Sequence, residues 1–147
     1  MSFLFLSLIF SIRVFAGVSA YTGTSGQKLF IEEGDKDTFF IKFTGVKSAW
    51  ENMVIKTTRT GKPDSYRYAF QYILELSSGK HDRTFTIVVD ERPTLVAGTI
   101  VPQVSLHNQE NPRDGMKLTW DKELTDKSQE IKLAAEFKKK PYFPEVD

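Results

Sequence analysis

The segment Tyr66-Arg67-Tyr68-Ala69-Phe70-Gln71-Tyr72-Ile73-Leu74-Glu75-Leu76 sets large apolar side chains at six consecutive even positions. A helix would scatter Tyr66, Tyr68, Phe70, Tyr72, Leu74 and Leu76 around its circumference. A strand puts all six on one face, because successive side chains point to opposite sides. The other face carries Arg67, Gln71 and Glu75 and is suited to water. Aromatic stripes also serve as stacking platforms for sugars or as peptide grooves. With a polar face already behind it, this stripe reads as core, with Phe70 at its centre.

Period-two alternation extends outward in both directions. Upstream it runs through Lys28–Glu33, Thr38–Val46 and Glu51–Thr58, and downstream through Arg83–Val89, Thr94–His107 and Met116–Trp120. Turn chemistry separates these runs at 33–37, 61–65, 77–82, 90–93 and 111–115. Pro102 cannot donate to a ladder, so its strand is predicted at an edge. In Gln129–Lys138, residues Ile131, Leu133, Ala135 and Phe137 alternate strictly. This segment is read as a last strand, although Ala134, Ala135 and Glu136 favour a helix. No long helical period intervenes, so parallel βαβ units are not expected. The prediction is an all-β, single-domain antiparallel β-sandwich of eight or nine strands, with a small closed β-barrel as the alternative.

The chain begins MSFLFLSLIFSIRVFAGVSAYTG. Its run from Phe3 to Ile12 has the length of a signal-peptide apolar core and is short for a bilayer span. Val14 and Ala16 mark cleavage before Gly17, and Val18 and Ala20 mark it before Tyr21. The expected organisation is a signal peptide over 1–16 (or 1–20 with the second cleavage site), a β domain over 17–137 and an extended tail over 138–147. Export to a periplasm or out of the cell follows, without stable membrane insertion after cleavage. Thr22-Gly23-Thr24-Ser25-Gly26 then reads as a flexible mature N-terminus.

Among the 147 residues, 40 % are hydrophobic and 27 % are charged, as expected of a folded chain. Loss of residues 1–16 removes Arg13 and leaves 19 basic and 19 acidic residues. That balance gives no electrostatic case for nucleic acid. Cysteine is absent, which excludes disulfides, thiolate metal sites and cysteine nucleophiles. The serine-hydrolase elbow, the zincin motif and the phosphate loop are all missing. His81 and His107 are the two histidines. Neither has a partner marked by sequence, and both read as solvated loop residues. Glu32, Glu33, Asp35 and Asp37 are weak calcium candidates, with Asp90 and Glu91 joining them if their turn lies at the same end. Lys36 in their midst favours a solvated hairpin tip, so no metal or cofactor is assigned. Lys138-Lys139-Lys140 reads as a solvated run.

These absences point to an exported, non-catalytic binding or protein-interaction module, whose partner is another protein or a surface glycan. A barrel carrier of a hydrophobic ligand is the alternative, followed by a carboxylate-based glycosidase. An enclosed void would favour the carrier, and a filled interior the surface-binding module.

Overall fold

The computed structural model describes residues 17–48, 50–61, 70–77, 84–108 and 111–142. Eight antiparallel strands run in chain order: β1 (Val18–Thr22), β2 (Lys28–Glu33), β3 (Thr38–Thr44), β4 (Val54–Thr60), β5 (Phe70–Ser77), β6 (Thr84–Val96), β7 (Thr99–Asn108) and β8 (Asn111–Trp120). Each pairs with the next, and β1 pairs with β8 through Tyr21↔Trp120 and Thr22↔Thr119. The sheet therefore closes on itself. The all-β antiparallel expectation holds in its barrel form, and the sandwich does not form.

The stripe behaves as its period demands. Tyr72, Leu74 and Leu76 are buried inside the barrel, whereas Gln71, Ile73 and Glu75 are exposed outside. Phe70 is half-buried at the interior's rim. Tyr66 and Tyr68 lie outside the described residues. Register carries the inward set around the wall: Ile31 faces Ile41, Ile41 faces Ile55, Leu74 faces Ile87, and Val104 faces Leu118. An eight-stranded barrel has an interior that side chains can just fill. Leu29, Phe43, Leu74, Leu76 and Leu118 fill this one at full burial.

Several connections differ from the expectation. Asp90–Pro93 is not a turn, because β6 continues through it to Val96. Pro93 stands opposite Pro102, and the pair Leu95↔Ile100 lies beyond it. The turn is Ala97-Gly98, at φ 49° and 81°. Positive φ at both central residues is the geometry whose twist matches a two-residue hairpin, and glycine adopts it without strain. Residues 111–115 belong to β8 rather than to a turn. Gly23–Gln27 is a tight link from β1 to β2, closed by the Gly23 amide on the Gln27 carbonyl at 2.8 Å. It is not a flexible terminus. Gly45 packs against this link, where a Cβ would come within 2.8 Å of the Gly26 carbonyl oxygen.

The last predicted strand is helical. After β8 come α1 (Lys122–Lys127) and α2 (Leu133–Lys139), so Lys138 and Lys139 end a helix rather than begin a tail. Leu133 and Phe137 are four residues apart and share a helix face. They pack with Val18, Ala20, Phe30, Phe40 and Val54 in a second apolar cluster on the outer wall. The Phe40 and Phe137 rings are 5.6 Å apart. Asp121 caps α1 by accepting from the Leu124 amide at 2.9 Å. Glu32 accepts from the Leu133 and Ala134 amides at the start of α2. Alternation and helical spacing coincide at Leu133 and Phe137, and the covered outer wall decides for the helix.

Candidate functional site

Inward positions on β6 are odd, so Phe85, Ile87 and Val89 lead to Glu91 inside the barrel. On β4 the same alternation turns Arg59 inward opposite Tyr72. Two charged side chains thus enter the apolar interior at the end where β6 and β7 project. The Tyr21 hydroxyl donates to Glu91 Oε1 at 2.7 Å, and the Tyr72 hydroxyl to Oε2 at 3.3 Å. The Arg59 guanidinium lies 4.6 Å from the centroid of the Phe39 ring and 4.1 Å from that of Phe70. Both are cation–π distances. Phe39 meets Tyr72 edge-on at 5.4 Å.

Burial pushes the Tyr21 phenol well above its ordinary pKa, and the Glu91 charge pushes it further. Tyr72 rises for the same two reasons, partly offset by Arg59. Both phenols stay protonated in neutral water and act as fixed donors toward the carboxylate.

Above this cluster opens a cavity of about 260 Å³, lined by Ser19, Tyr21, Glu91, Ile100, Pro102 and Trp120, among others. The β6–β7 hairpin forms one wall and continues past the barrel rim. Its tip is apolar: Leu95 is 72 % and Ile100 70 % exposed. No charged residue occurs from Pro93 to Leu106.

A second hollow, about 400 Å³, lies on the outer wall between β4 and β5. Among the described residues these strands share only the pairs Arg59↔Tyr72 and Thr60↔Gln71. Beyond them the Thr57 hydroxyl donates to the Ile73 carbonyl at 2.8 Å, a side-chain bond where a ladder would otherwise run. Tyr142 lines this hollow and packs against the interior cluster.

The four calcium candidates do not converge. Glu32 is turned to α2, Glu33 is exposed, and Asp35 and Asp37 flank Lys36 in the turn. Asp90 and Glu91 lie within β6 and face opposite sides of the wall, so neither joins them. Among the described residues no group of three or more ligating side chains could hold a metal ion. His81 lies outside the described residues. His107 sits within β7 rather than in a loop, with Nδ1 3.9 Å from Asp90 Oδ2. The Gln71 amide donates to the other Asp90 oxygen at 2.8 Å. This contact lies on the outer wall, where Asp90 stands opposite Ser105 in the register.

The mouth cluster was partly signalled in sequence. Glu91 continues the apolar odd series of β6, and a carboxylate in such a series is a marker. Reading 90–93 as a turn hid that position. Comparison with protein-family models, with characterised proteins and with solved structures gives no match. Among the described residues no helix is long and apolar enough to cross a membrane.

Proposed function

We propose that this chain is an exported, non-catalytic binding protein that takes a small, partly apolar molecule in the mouth of its barrel. One observation carries the proposal: the half-enclosed cavity of about 260 Å³, which joins an apolar wall to a single hydrogen-bonded carboxylate. Ligand sites combine an apolar lining with a few fixed polar groups in this way. The barrel's deeper interior is filled with side chains, so the ligand is held at the rim rather than engulfed. A glycosidase needs two carboxylates flanking a substrate, and Glu91 is the one carboxylate among the described lining residues.

Ser19→Phe, which adds bulk at the cavity, separates this reading from surface binding. Small amphipathic compounds should raise the melting temperature of the parent protein and leave that of Ser19→Phe unchanged. Equal shifts in both proteins would reject the mouth as the site. Turnover of any substrate, abolished by Glu91→Gln with the fold intact, would overturn the non-catalytic assignment.

A second reading has its own observation. The exposed Leu95 and Ile100 at the hairpin tip suit contact with another protein. Leu95→Asn with Val96→Asn, neither of which lines the cavity, should weaken such a contact while leaving small-molecule binding in place.

Export follows from the leader, and the barrel favours the first cleavage site. Cleavage before Tyr21 would remove Val18 and Ala20, which are buried and belong to β1. Cleavage before Gly17 leaves β1 whole. N-terminal sequencing of exported protein should therefore begin at Gly17. A start at Tyr21, or retention of Met1, would reject this.

A further inference from the structure

The Glu91 carboxylate is held by phenols rather than by a cation among the described residues. Among the described residues no lysine or arginine nitrogen lies within ion-pair distance of its oxygens. The nearby Arg59 packs on the Phe39 and Phe70 rings, its charge acts on the Tyr21 and Tyr72 phenols rather than as an ion pair with Glu91, and it does not line the cavity. Each Glu91 oxygen accepts one phenolic hydrogen, from Tyr21 and from Tyr72. An ionised carboxylate has about four acceptor positions, so about two remain for a ligand. The other polar groups around the cavity, Ser19 and Thr125 among them, are neutral. Trp120 is half-buried beside them and is the aromatic type best suited to hold a cation over its face. Pro102 and Ile100 supply an uncharged wall.

Resting on the mouth as the ligand site, we propose that it selects small molecules bearing a protonated amine. The ammonium group docks on Glu91 beside Trp120, and the apolar remainder lies along Pro102 and Ile100. An ammonium carries three donors and no acceptor, which matches a carboxylate with free lone pairs. An anion would meet Glu91 at close range in a partly dry site, where like charges repel strongly. A neutral alcohol can donate one hydrogen bond but gains nothing from the charge. The cavity lies just below the ~300–1,000 Å³ of drug-sized sites. The amine is therefore small, with one ring or a short alkyl chain.

The test compares three probes of similar shape: 2-phenylethylamine, 2-phenylethanol and 3-phenylpropanoate. Each is titrated into the processed protein and followed by the NMR signals of the two tryptophan indoles, assigned with Trp120→Phe. The amine should move the Trp120 signal and bind at least ten times more tightly than the alcohol, and the carboxylate should not saturate. In Glu91→Gln the amine should fall to the level of the alcohol. Equal affinity of amine and alcohol for the parent protein would overturn the proposal, as would an amine preference that survives in Glu91→Gln. Either result, with Trp120 still responding, leaves the mouth standing as a ligand site. If no probe moves Trp120, the amine proposal and the mouth reading fall together. Should Glu91→Gln not fold, the amine-to-alcohol ratio in the parent protein decides.

Discussion

At one end of the barrel the Trp50 ring stands edge-on to Phe43 with centroids 4.9 Å apart, and Leu29 and Leu76 pack behind it at zero exposure. At the other end the same inward alternation delivers Tyr21, Glu91 and Trp120 to a cavity, with Arg59 and Tyr72 packed behind them. Both ends are built from neighbouring positions on the same strands. The closed end is held by shape and burial, which are indifferent to which apolar groups meet. The open end is held by hydrogen bonds and charge, which need particular atoms at particular places. A barrel can afford such an end only because the rest of its interior is dry and full.

The comparison breaks first at Phe43. Phe43→Ala should lower stability by about 3–5 kcal/mol, the range for removing a fully buried ring. Urea denaturation read by circular dichroism checks this, and a loss under about 1 kcal/mol would mean that the closed end is not the structural anchor.

Tyr21→Phe tests the open end. It removes the donor to Glu91 Oε1 and leaves the carboxylate partly unsatisfied, which should cost about 1.5–3 kcal/mol. A neutral or stabilising result in the same denaturation experiment would show that the network does not hold the mouth together.

Alkaline pH sharpens the contrast. An unfolded tyrosine loses its proton near pH 10, whereas folding raises the Tyr21 and Tyr72 values. Below that pH both states keep these protons, and stability does not depend on them. Above it the unfolded state releases protons that the folded state retains. Stability should then fall by roughly 1.4 kcal/mol per pH unit for each phenol. Tyrosinate absorbance should show a step above the ordinary phenol range that shrinks by one phenol in Tyr21→Phe. Tyr21→Phe should halve the slope of stability against pH above 10.

Phe70→Ala gives the smallest effect. Phe70 belongs to the decisive stripe but sits half-buried at the rim beneath Arg59. Its removal should cost about 1 kcal/mol, mostly the cation–π contact and a partial loss of burial. A loss as large as that of Phe43→Ala would mean that the rim is packed as tightly as the closed end.

The strands and their inward faces were legible because alternation has a period of two, and Leu74, Leu76, Ile87 and Val89 obey it. Closure was less so. It depends on Tyr21 meeting Trp120, a pairing between distant segments that no local pattern reports. The helix over Leu133–Lys139 was obscured because Leu133 and Phe137 fit both periods, and the choice lies with Phe30, Phe40 and Val54 on a wall that exists only after folding. The mouth was obscured at Asp90–Pro93. Proline and two acids resemble a turn locally, yet Pro93 faces Pro102 in the middle of a long hairpin.

The final helices do more than cover the wall. The Ala20 backbone N–H donates to the Thr125 hydroxyl at 2.9 Å, and the Gln129 side-chain Nε2 donates to the Val18 carbonyl at 2.9 Å. Ala20 and Thr125 are 105 positions apart. One edge of the first strand pairs at once with β2, but its other edge waits until residues 119–129 have been made. Contacts this remote slow the folding search, because a long loop must be closed before any of them forms. Beginning and end are stitched into one seam, and the barrel becomes a barrel only at the last step. Until that edge is made, the sheet is an open ribbon with an unpaired strand edge.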